Sequence, residues 1–243
     1  MYPNIDGSAL DLSSFSKLEG VVDAIYNPLR TALILDAQSR GIPSAGGLYM
    51  LVAQAAYAVE FFLNTKIEEA KITAIYRSML AAKENIVLSG MPGCGKSTVG
   101  RILAQKTDRP LFDTDTLIQE RFGKTPAEII NQEGEAAFRQ KESVVIRETV
   151  ALKNGCIIAT GGGAILRDDN VNNLKKNGKT FFIDRPLDLL VTTKDRPLSS
   201  DRELLEKRYN ERYDRYCNTA DVIISPAIEL DAICAKIIKE MNL

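Results

Sequence analysis

The sequence predicts an α/β fold with a central, mainly parallel sheet over residues 85–243, preceded by a mostly helical N-terminal extension. From residue 85 onward, short apolar runs alternate with helical patterns, as in parallel sheets covered by helices. Five runs are predicted as strands: Ile86–Leu88, Pro110–Phe112, Cys156–Ala159, Thr180–Ile183 and Val222–Ile224. Helices are predicted between them, among them Pro126–Ile130, Glu135–Leu152 and Arg202–Tyr216. A block of this length suits one domain.

The block before residue 85 has a different pattern. Its predicted elements are the strand Val21–Tyr26, the helices Leu29–Ser39 and Leu48–Leu63, and a further helical segment over 67–79. One strand and a few helices cannot form a sheet in which the backbone N–H and C=O groups of the edge strands are paired or covered. This block is therefore predicted to be incomplete by itself.

Composition excludes several functions. The 31 basic and 32 acidic residues give no electrostatic reason to expect nucleic-acid or membrane binding. No apolar run approaches the length of a transmembrane helix, and no signal peptide is visible, so a cytoplasmic protein is expected. The chain contains no histidine, which removes catalysis and metal binding that depend on histidine. Four widely spaced cysteines are expected to be free thiols: Cys94, Cys156, Cys217 and Cys234.

The most specific motif is Gly90-Met91-Pro92-Gly93-Cys94-Gly95-Lys96-Ser97, which fits the phosphate-binding pattern G-x-x-x-x-G-K-[ST]. A predicted strand precedes it and a predicted helix begins at Val99, which makes a chance match in a glycine-rich turn the weaker interpretation. Backbone N–H groups and the helix N-terminus would bind phosphate oxygens. Lys96 would reach the outer phosphates, and the Ser97 hydroxyl would bind Mg²⁺. The residues predicted to bind ATP are Gly93, Cys94, Gly95, Lys96, Ser97 and Thr98.

Two acidic residues, Asp113 and Asp115, follow the predicted strand Pro110–Phe112. Because strand side chains alternate, residues two apart share a face. The carboxyl ends of parallel strands are also where such sheets bind ligands. One carboxylate is expected near Mg²⁺ and the other near an acceptor hydroxyl. The alternative is a polar loop in which one Asp caps a helix.

Two further segments have residues suited to a small anionic ring. Phe138 and Arg139 are adjacent at the start of a helix, and an arginine beside an aromatic ring could hold a carboxylate and a ring face. A surface salt bridge would equally explain the arginine. Gly161, Gly162 and Gly163 follow the strand Cys156–Ala159 and permit close approach of backbone to ligand, or only a sharp turn.

Two more arginines are candidates near the C-terminus. Arg196 lies in a polar stretch that is a candidate lid over the transferred phosphate. Arg212 lies on a predicted helix in the segment Glu211-Arg212-Tyr213. Either could instead be a solvated surface charge.

In this order and at these intervals, the motifs P-loop, D-T-D, G-E-x-x-F-R, A-T-G-G-G-A, R-P-L and E-R-x-x-x-Y resemble the shikimate kinases over residues 85–243. The resemblance implies a P-loop nucleoside-triphosphate kinase fold and ATP-dependent phosphorylation of shikimate, in chorismate and aromatic amino acid biosynthesis. It implies three catalytic residues, Lys96, Asp115 and Arg196, with Asp113 and Ser97 near Mg²⁺. The implied shikimate contacts are Asp115, Phe138, Arg139, Gly161, Gly162, Gly163 and Arg212.

One departure from the family concerns the adenine end of the nucleotide. The family usually has an arginine shortly before the lid that lies over adenine. Here the corresponding stretch is Leu189-Leu190-Val191-Thr192-Thr193-Lys194, which has no arginine. Weaker or less selective nucleotide binding is expected.

Residues 1–64 resemble the C-terminal end of shikimate dehydrogenases. The resemblance rests on the segments Val22–Thr31 and Gly47–Ala55, and it places Gln54 near shikimate and Gly47 near a nicotinamide. No G-x-G-x-x-G follows a strand, so dehydrogenase activity is not expected. The predicted organisation is a dehydrogenase remnant (1–64), a helical linker (65–84) and a kinase domain (85–243).

Two alternatives to this interpretation remain open at the level of sequence. One is a nucleotide-binding P-loop protein with another small hydroxy acid as acceptor. The other is a scaffold or partner-binding role, in which the N-terminal segment associates with a partner or with a second copy through its exposed strand.

Overall fold

The computed structural model describes residues 7–8, 10–190, 202–224 and 229–243, with backbone alone for 202–204. The strands, numbered in chain order, are β1 (Val21–Val22), β2 (Ser44–Ala45), β3 (Asn85–Ser89), β4 (Leu111–Asp113), β5 (Ile157–Ala159), β6 (Gly178–Ile183) and β7 (Val222–Ile224). The α-helices are α1 (Ala32–Ser39), α2 (Leu48–Leu63), α3 (Glu69–Lys83), α4 (Lys96–Thr107), α5 (Thr114–Phe122), α6 (Pro126–Glu133), α7 (Glu135–Glu148), α8 (Asp168–Lys175), α9 (Arg202–Thr219) and α10 (Leu230–Glu240).

Strands β3 to β7 form one parallel sheet in the order β4-β5-β3-β6-β7, which confirms the predicted α/β fold. All five predicted strands of this block are present, within one or two residues at their ends. Pro110 precedes β4 rather than beginning it, since proline has no N–H for the ladder, although its carbonyl accepts a hydrogen bond from Ile157 (2.9 Å).

Both faces of the sheet are covered, and the central strand β3 is buried along its whole length. Its side chains alternate between two hydrophobic clusters, with Ile86 and Leu88 in one and Val87 in the other. The first cluster includes side chains of α4, α9 and α10, and the second includes side chains of α5, α6 and α7. A strand buried on both faces explains the continuous apolar run in the sequence.

Some helix boundaries differ from the prediction. The helix predicted over Glu135–Leu152 ends at Glu148, and a 3₁₀ turn over Val150–Leu152 follows it. The predicted helix beginning at Leu29 begins instead at Ala32, because the Thr31 side chain accepts a hydrogen bond from Ile34 N–H (3.4 Å) and caps the helix.

The prediction of one long strand over Val21–Tyr26 was wrong. Only Val21 and Val22 are extended in a ladder, and they pair in parallel with an unpredicted strand, β2. The Asp23 carboxylate accepts hydrogen bonds from Ile25 N–H (3.0 Å) and the Thr31 hydroxyl (2.7 Å). Such local bonds compete with a regular ladder, although Asp23 N–H still donates to Ala45 O (3.0 Å).

The segment between Pro28 and α1 joins the N-terminal block to the sheet domain. Leu29 N–H donates to Asn177 Oδ1 (2.9 Å), and Arg30 N–H donates to Lys176 O (2.8 Å). The Arg30 guanidinium pairs with Glu84. These contacts lie just before β3 and β6, at the amino ends of the strands.

Helices α2 and α3 pack together around Val52, Ala56 and Ile72. The C-terminal end of α2 is exposed to solvent, with Phe61 at 83% and Phe62 at 80% of full exposure. In the described part of the chain, no helix is both long and apolar enough to span a membrane.

Candidate active site

The predicted phosphate-binding loop joins β3 to α4, as its sequence context indicates. Gly95 immediately precedes α4 with a φ of 99°, a backbone conformation that glycine adopts readily. The loop borders a cavity of about 380 Å³ at the carboxyl ends of the strands. The lining residues are Gly93, Gly95, Lys96, Ser97, Thr98, Arg101, Asp113, Asp115, Thr160, Gly161, Gly162 and Arg185.

Of the residues predicted to bind ATP, all but Cys94 line this cavity. The Cys94 side chain is 1% exposed and belongs to the hydrophobic core, so a contact of Cys94 with a phosphate would be made by its backbone N–H. Its thiol lies 3.6 Å from Lys96 Nζ.

The Lys96 side chain folds back onto the phosphate-binding loop. Its ammonium donates to the carbonyl oxygens of Gly90 (2.8 Å) and Met91 (3.0 Å), and the residue is buried. Because these partners are neutral, no carboxylate of the described residues neutralises the positive charge of Lys96. The charge is therefore placed at the cavity, where a phosphate oxygen could compete for it.

Ser97 and Asp113 are joined directly, since the Ser97 hydroxyl donates to Asp113 Oδ2 (2.9 Å). The other oxygen of Asp113 accepts a hydrogen bond from Asp115 N–H (3.0 Å) and caps α5. The helix-cap and ligand interpretations of Asp113 are thus compatible. A hydroxyl and one carboxylate are hard oxygen donors, a set that fits Mg²⁺ when nucleotide phosphates supply further ligands.

The reason given for Asp113 and Asp115 sharing a face was wrong. Asp113 ends β4, but Asp115 lies in the first turn of α5, so strand alternation does not apply. Both side chains nevertheless line the same cavity, because α5 begins directly at the end of the strand. Gly161, whose N–H donates to Thr114 Oγ1 (2.8 Å), brings the glycine segment beside them.

Arg139 is packed tightly at the start of α7. Its guanidinium lies 4.9 Å from the centroid of the Phe138 ring and donates to Glu135 (3.0 Å) and Glu142 (2.8 Å). It also lies directly against Gly163, where any side chain would overlap it. Arg139 therefore forms salt bridges, but they surround a guanidinium that is mostly buried and is not a solvated surface charge.

Glu142 was missed by the sequence analysis. Its side chain is fully buried, and burial raises the pKa of its carboxyl group, an effect that Arg139 opposes. A side chain at Gly161 would contact both Glu142 Oε1 (2.6 Å) and Asp115 Oδ1 (3.1 Å), so the two carboxylates approach the same glycine. The available signal was its position three residues after Arg139 on one helix.

Arg212 lies on α9 and is only 9% exposed. Among the described residues, its guanidinium donates no hydrogen bond and forms no ion pair, although it interacts electrostatically with Glu142. One turn later, the Tyr216 hydroxyl donates to Gly162 O, and the Tyr216 ring stacks on Phe182. These contacts fix α9 against the glycine segment, so Arg212 is held at the site with its donors available.

Two further arginines, Arg196 and Arg185, follow strand β6 in the sequence. Arg196 and the predicted lid lie outside the described residues. Arg185, which the sequence analysis did not select, lines the phosphate cavity and a neighbouring cavity of about 250 Å³ formed with residues such as Leu230 and Ile233. Its position just after β6, at the carboxyl end of a strand, was the available signal.

This arrangement defines a P-loop phosphotransferase: a phosphate-binding loop, a hydroxyl–carboxylate pair suited to Mg²⁺, and an adjoining subsite with a carboxylate and two arginines. Among the described residues, no three Cys, Asp or Glu side chains lie close enough together to hold a metal ion by themselves.

Comparison with known proteins identifies the family. The family model "Shikimate kinase" matches residues 92–242, so the chain belongs to the shikimate kinase family. A shikimate kinase from Clostridium botulinum (strain Eklund 17B / Type B) is 39% identical over 65% of this chain and 96% of that protein. One from Chromobacterium violaceum is 41% identical over 58% of this chain and 79% of that protein.

A solved structure gives the same assignment. The shikimate kinase from Acinetobacter baumannii, in complex with shikimate, matches with a TM-score of 0.63 at 30% identity. The match covers 68% of this chain and 97% of that one. Family membership thus rests on both sequence and fold, and it applies to the block that contains the P-loop.

Proposed function

We propose that this protein transfers the γ-phosphate of ATP to a ring hydroxyl of shikimate, giving shikimate 3-phosphate for chorismate and aromatic amino acid biosynthesis. The observation that supports this most directly is the subsite next to the P-loop. There, Arg212 is nearly buried and donates no hydrogen bond to the residues that the structure describes, and Arg139 lies beside an aromatic ring. Guanidinium groups bind carboxylates in a planar, two-point geometry. An acceptor with a ring and a carboxylate fits this chemistry.

The proposed roles follow the positions of the side chains. Lys96 and the loop backbone bind the phosphates and stabilise charge on the transferred group. Asp115 lies at the junction of the phosphate cavity and the glycine segment, so it accepts a hydrogen bond from the reacting hydroxyl. Arg139 and Arg212 hold the carboxylate, Phe138 lies against the ring, and the glycine backbone borders the substrate. Arg196 is proposed to act from the lid.

Ser97 and Asp113 are the residues that would hold Mg²⁺. The ion, when bound with the nucleotide, offsets negative charge on the phosphates. Both side chains line the cavity beside the P-loop, and the Ser97 hydroxyl lies 2.9 Å from Asp113 Oδ2, which supports this assignment.

The proposal is tested by measuring ADP release with shikimate, quinate and gluconate in parallel. Shikimate should give by far the highest kcat/KM, and mass spectrometry should detect its monophosphate. Equal activity with gluconate would favour the alternative of a P-loop kinase with another small hydroxy acid as acceptor.

We propose weaker nucleotide binding at the adenine end than is usual in the family, since residues 189–194 lack an arginine. Titration calorimetry with ADP tests this expectation. A dissociation constant as tight as the family's usual value would contradict it.

We also propose that residues 1–64 are a dehydrogenase remnant without hydride-transfer activity. They are joined by residues 65–84 to the kinase domain over 85–243, in a cytoplasmic protein.

The exposed Phe61 and Phe62 favour association of this N-terminal segment with a partner. Comparing the full chain with residues 66–243 tests these ideas. Shikimate-dependent reduction of NADP would exclude the remnant interpretation. If the full chain and residues 66–243 are both monomeric by their mass in solution, association through the N-terminal segment is contradicted.

A further inference from the structure

The glycine segment Gly161–Gly163 lies in close contact with both halves of the site. A Cβ atom at Gly162 would lie 2.8 Å from Pro92 Cδ, in the phosphate-binding loop. A Cβ atom at Gly163 would overlap the guanidinium of Arg139, in the acceptor subsite. Because the backbone of the segment fills the space between them, its position sets the separation between the phosphate-binding loop and the acceptor subsite.

The middle carbonyl of this segment has a different kind of partner from the other two. The carbonyl oxygens of Gly161 and Gly163 each accept a hydrogen bond from the backbone N–H three residues later (3.1 Å in both cases). Gly162 O accepts instead from the Tyr216 hydroxyl, on the distant helix α9. The glycine that packs against the phosphate-binding loop is thus held from its other side by a side chain.

The Tyr216 side chain is itself fixed in the core. It is 1% exposed, and its ring stacks on Phe182 of β6 with 4.9 Å between the ring centroids. Burial raises the pKa of the Tyr216 hydroxyl, so the hydroxyl remains a hydrogen-bond donor near neutral pH. The stacked ring therefore ties Gly162 O to the central sheet. This tyrosine ends the motif E-R-x-x-x-Y, but the proposed function gives it no role.

We propose that Tyr216 is a positioning residue, which holds the glycine segment so that the acceptor hydroxyl lies at transfer distance from the γ-phosphate. The inference rests on the proposed phosphorylation of shikimate. Tyr216 acts through Gly162 and contacts neither substrate. Phosphoryl transfer depends mostly on positioning, and a displacement of about 1 Å can cost about a hundredfold in rate. Without the hydroxyl, the Gly162 carbonyl loses its partner, and the segment can move away from Pro92.

Two other roles for Tyr216 predict different results. If the residue only fills the core, its hydroxyl contributes to stability and leaves the kinetics of the folded protein unchanged. If it only holds α9, which carries Arg212 one turn earlier, loss of the hydroxyl weakens shikimate binding, so KM rises and kcat does not fall. Displacement of the glycine segment instead lowers kcat, because alignment is needed in the transition state.

The test uses Tyr216→Phe, which retains the stacked ring and removes only the hydroxyl. The matched control is Tyr213→Phe, on the same helix. The Tyr213 ring also packs on Phe182, edge-on at 5.9 Å, but its hydroxyl donates to Asp184 Oδ2 (3.2 Å) and not to the glycine segment. For both variants, kcat and the KM values for shikimate and ATP are measured, together with the melting temperature.

Tyr216→Phe should lower kcat about tenfold, equivalent to about 1.4 kcal/mol. Both of its KM values should stay within about threefold of the wild type, and Tyr213→Phe should keep kcat within about twofold. Gly162→Ala displaces the segment by a second route, because its methyl group would press on Pro92. Its kcat should also fall, and the double variant with Tyr216→Phe should lose less than the product of the separate losses, since both act on one segment.

An unchanged kcat in Tyr216→Phe, a rise in KM alone, or equal losses of kcat in the two phenylalanine variants would overturn the inference. Unchanged kcat in Gly162→Ala, or fully additive losses in the double variant, would overturn it as well. The wild type separates this failure from failure of the proposed function. If the wild type makes no shikimate monophosphate, both are wrong. If it does and Tyr216→Phe is unaffected, only the positioning role is wrong.

Discussion

The kinase block and the N-terminal segment differ in the size of their buried cores. The kinase block has a five-stranded sheet whose central strand is buried on both faces, and helices cover both sides. The N-terminal segment has two-residue strands, small clusters around Ile34 and Ile72, and exposed phenylalanines. It is attached by Leu29 and Arg30 at the amino ends of β3 and β6.

This difference explains where the function lies. Every described residue proposed to act on substrate follows the carboxyl end of a strand or lies on a helix packed beside it. The N-terminal segment contacts the opposite ends of the same strands. We therefore expect changes at the two ends to separate chemistry from stability, and the following predictions test that separation.

The largest effect is expected for Lys96→Ala. Removing the cation that we propose stabilises the transferred phosphate should lower kcat by about a thousandfold, or about 4 kcal/mol. The melting temperature should change little, because the lysine's partners are two loop carbonyls. Steady-state kinetics and differential scanning calorimetry measure the two quantities. A large loss of stability would mean that the loop itself depends on the lysine.

Arg30→Ala should have the opposite pattern. It leaves the nearly buried Glu84 carboxylate without its partner, at a cost of about 2 kcal/mol. For a chain of this size, that corresponds to a fall in melting temperature of roughly 4–8 °C. The KM for shikimate should stay within twofold. A matched control is Arg40→Ala, whose exposed pair with Asp36 should contribute little. A marked change in KM would show that the two ends are coupled.

Arg185→Ala sharpens the comparison within the kinase block. Arg185 lines both the phosphate cavity and the cavity beside Leu230. Its loss should raise the KM for ATP about tenfold, with little effect on the KM for shikimate. The exposed Arg101, which lines the phosphate cavity but is not among the described residues that line the cavity beside Leu230, provides the comparison variant. Equal effects of the two substitutions would contradict a special position for Arg185.

The smallest effect concerns pH and Glu142. Burial raises the pKa of this carboxyl group, so the folded protein binds more protons than the unfolded chain between its ordinary and its raised pKa. Stability from this group is thus present at low pH and declines as pH rises through that window. In the wild type, this decline in the free energy of unfolding should be less than about 1.4 kcal/mol per pH unit. Glu142→Gln should remove it, because glutamine does not titrate. Denaturant titrations of both proteins from pH 4 to 8 measure the difference. An unchanged slope would contradict the burial effect.

Local patterns predicted much of this molecule. The apolar runs predicted β3 to β7 because a strand buried on both faces needs consecutive apolar residues. The P-loop predicted the phosphate cavity because its spacing encodes a backbone conformation. Predictions were poorer where a side chain decides the local structure, as Thr31 does when it caps α1.

The sequence by itself determined the strands of the sheet and the phosphate-binding loop, since each depends on neighbours within a few positions. Only the tertiary structure decided that Glu142 is buried against Arg139 and that Arg185 lines two cavities. These properties depend on elements that are distant in sequence. Burial and charge are set by the sum of such contacts, which no short motif contains.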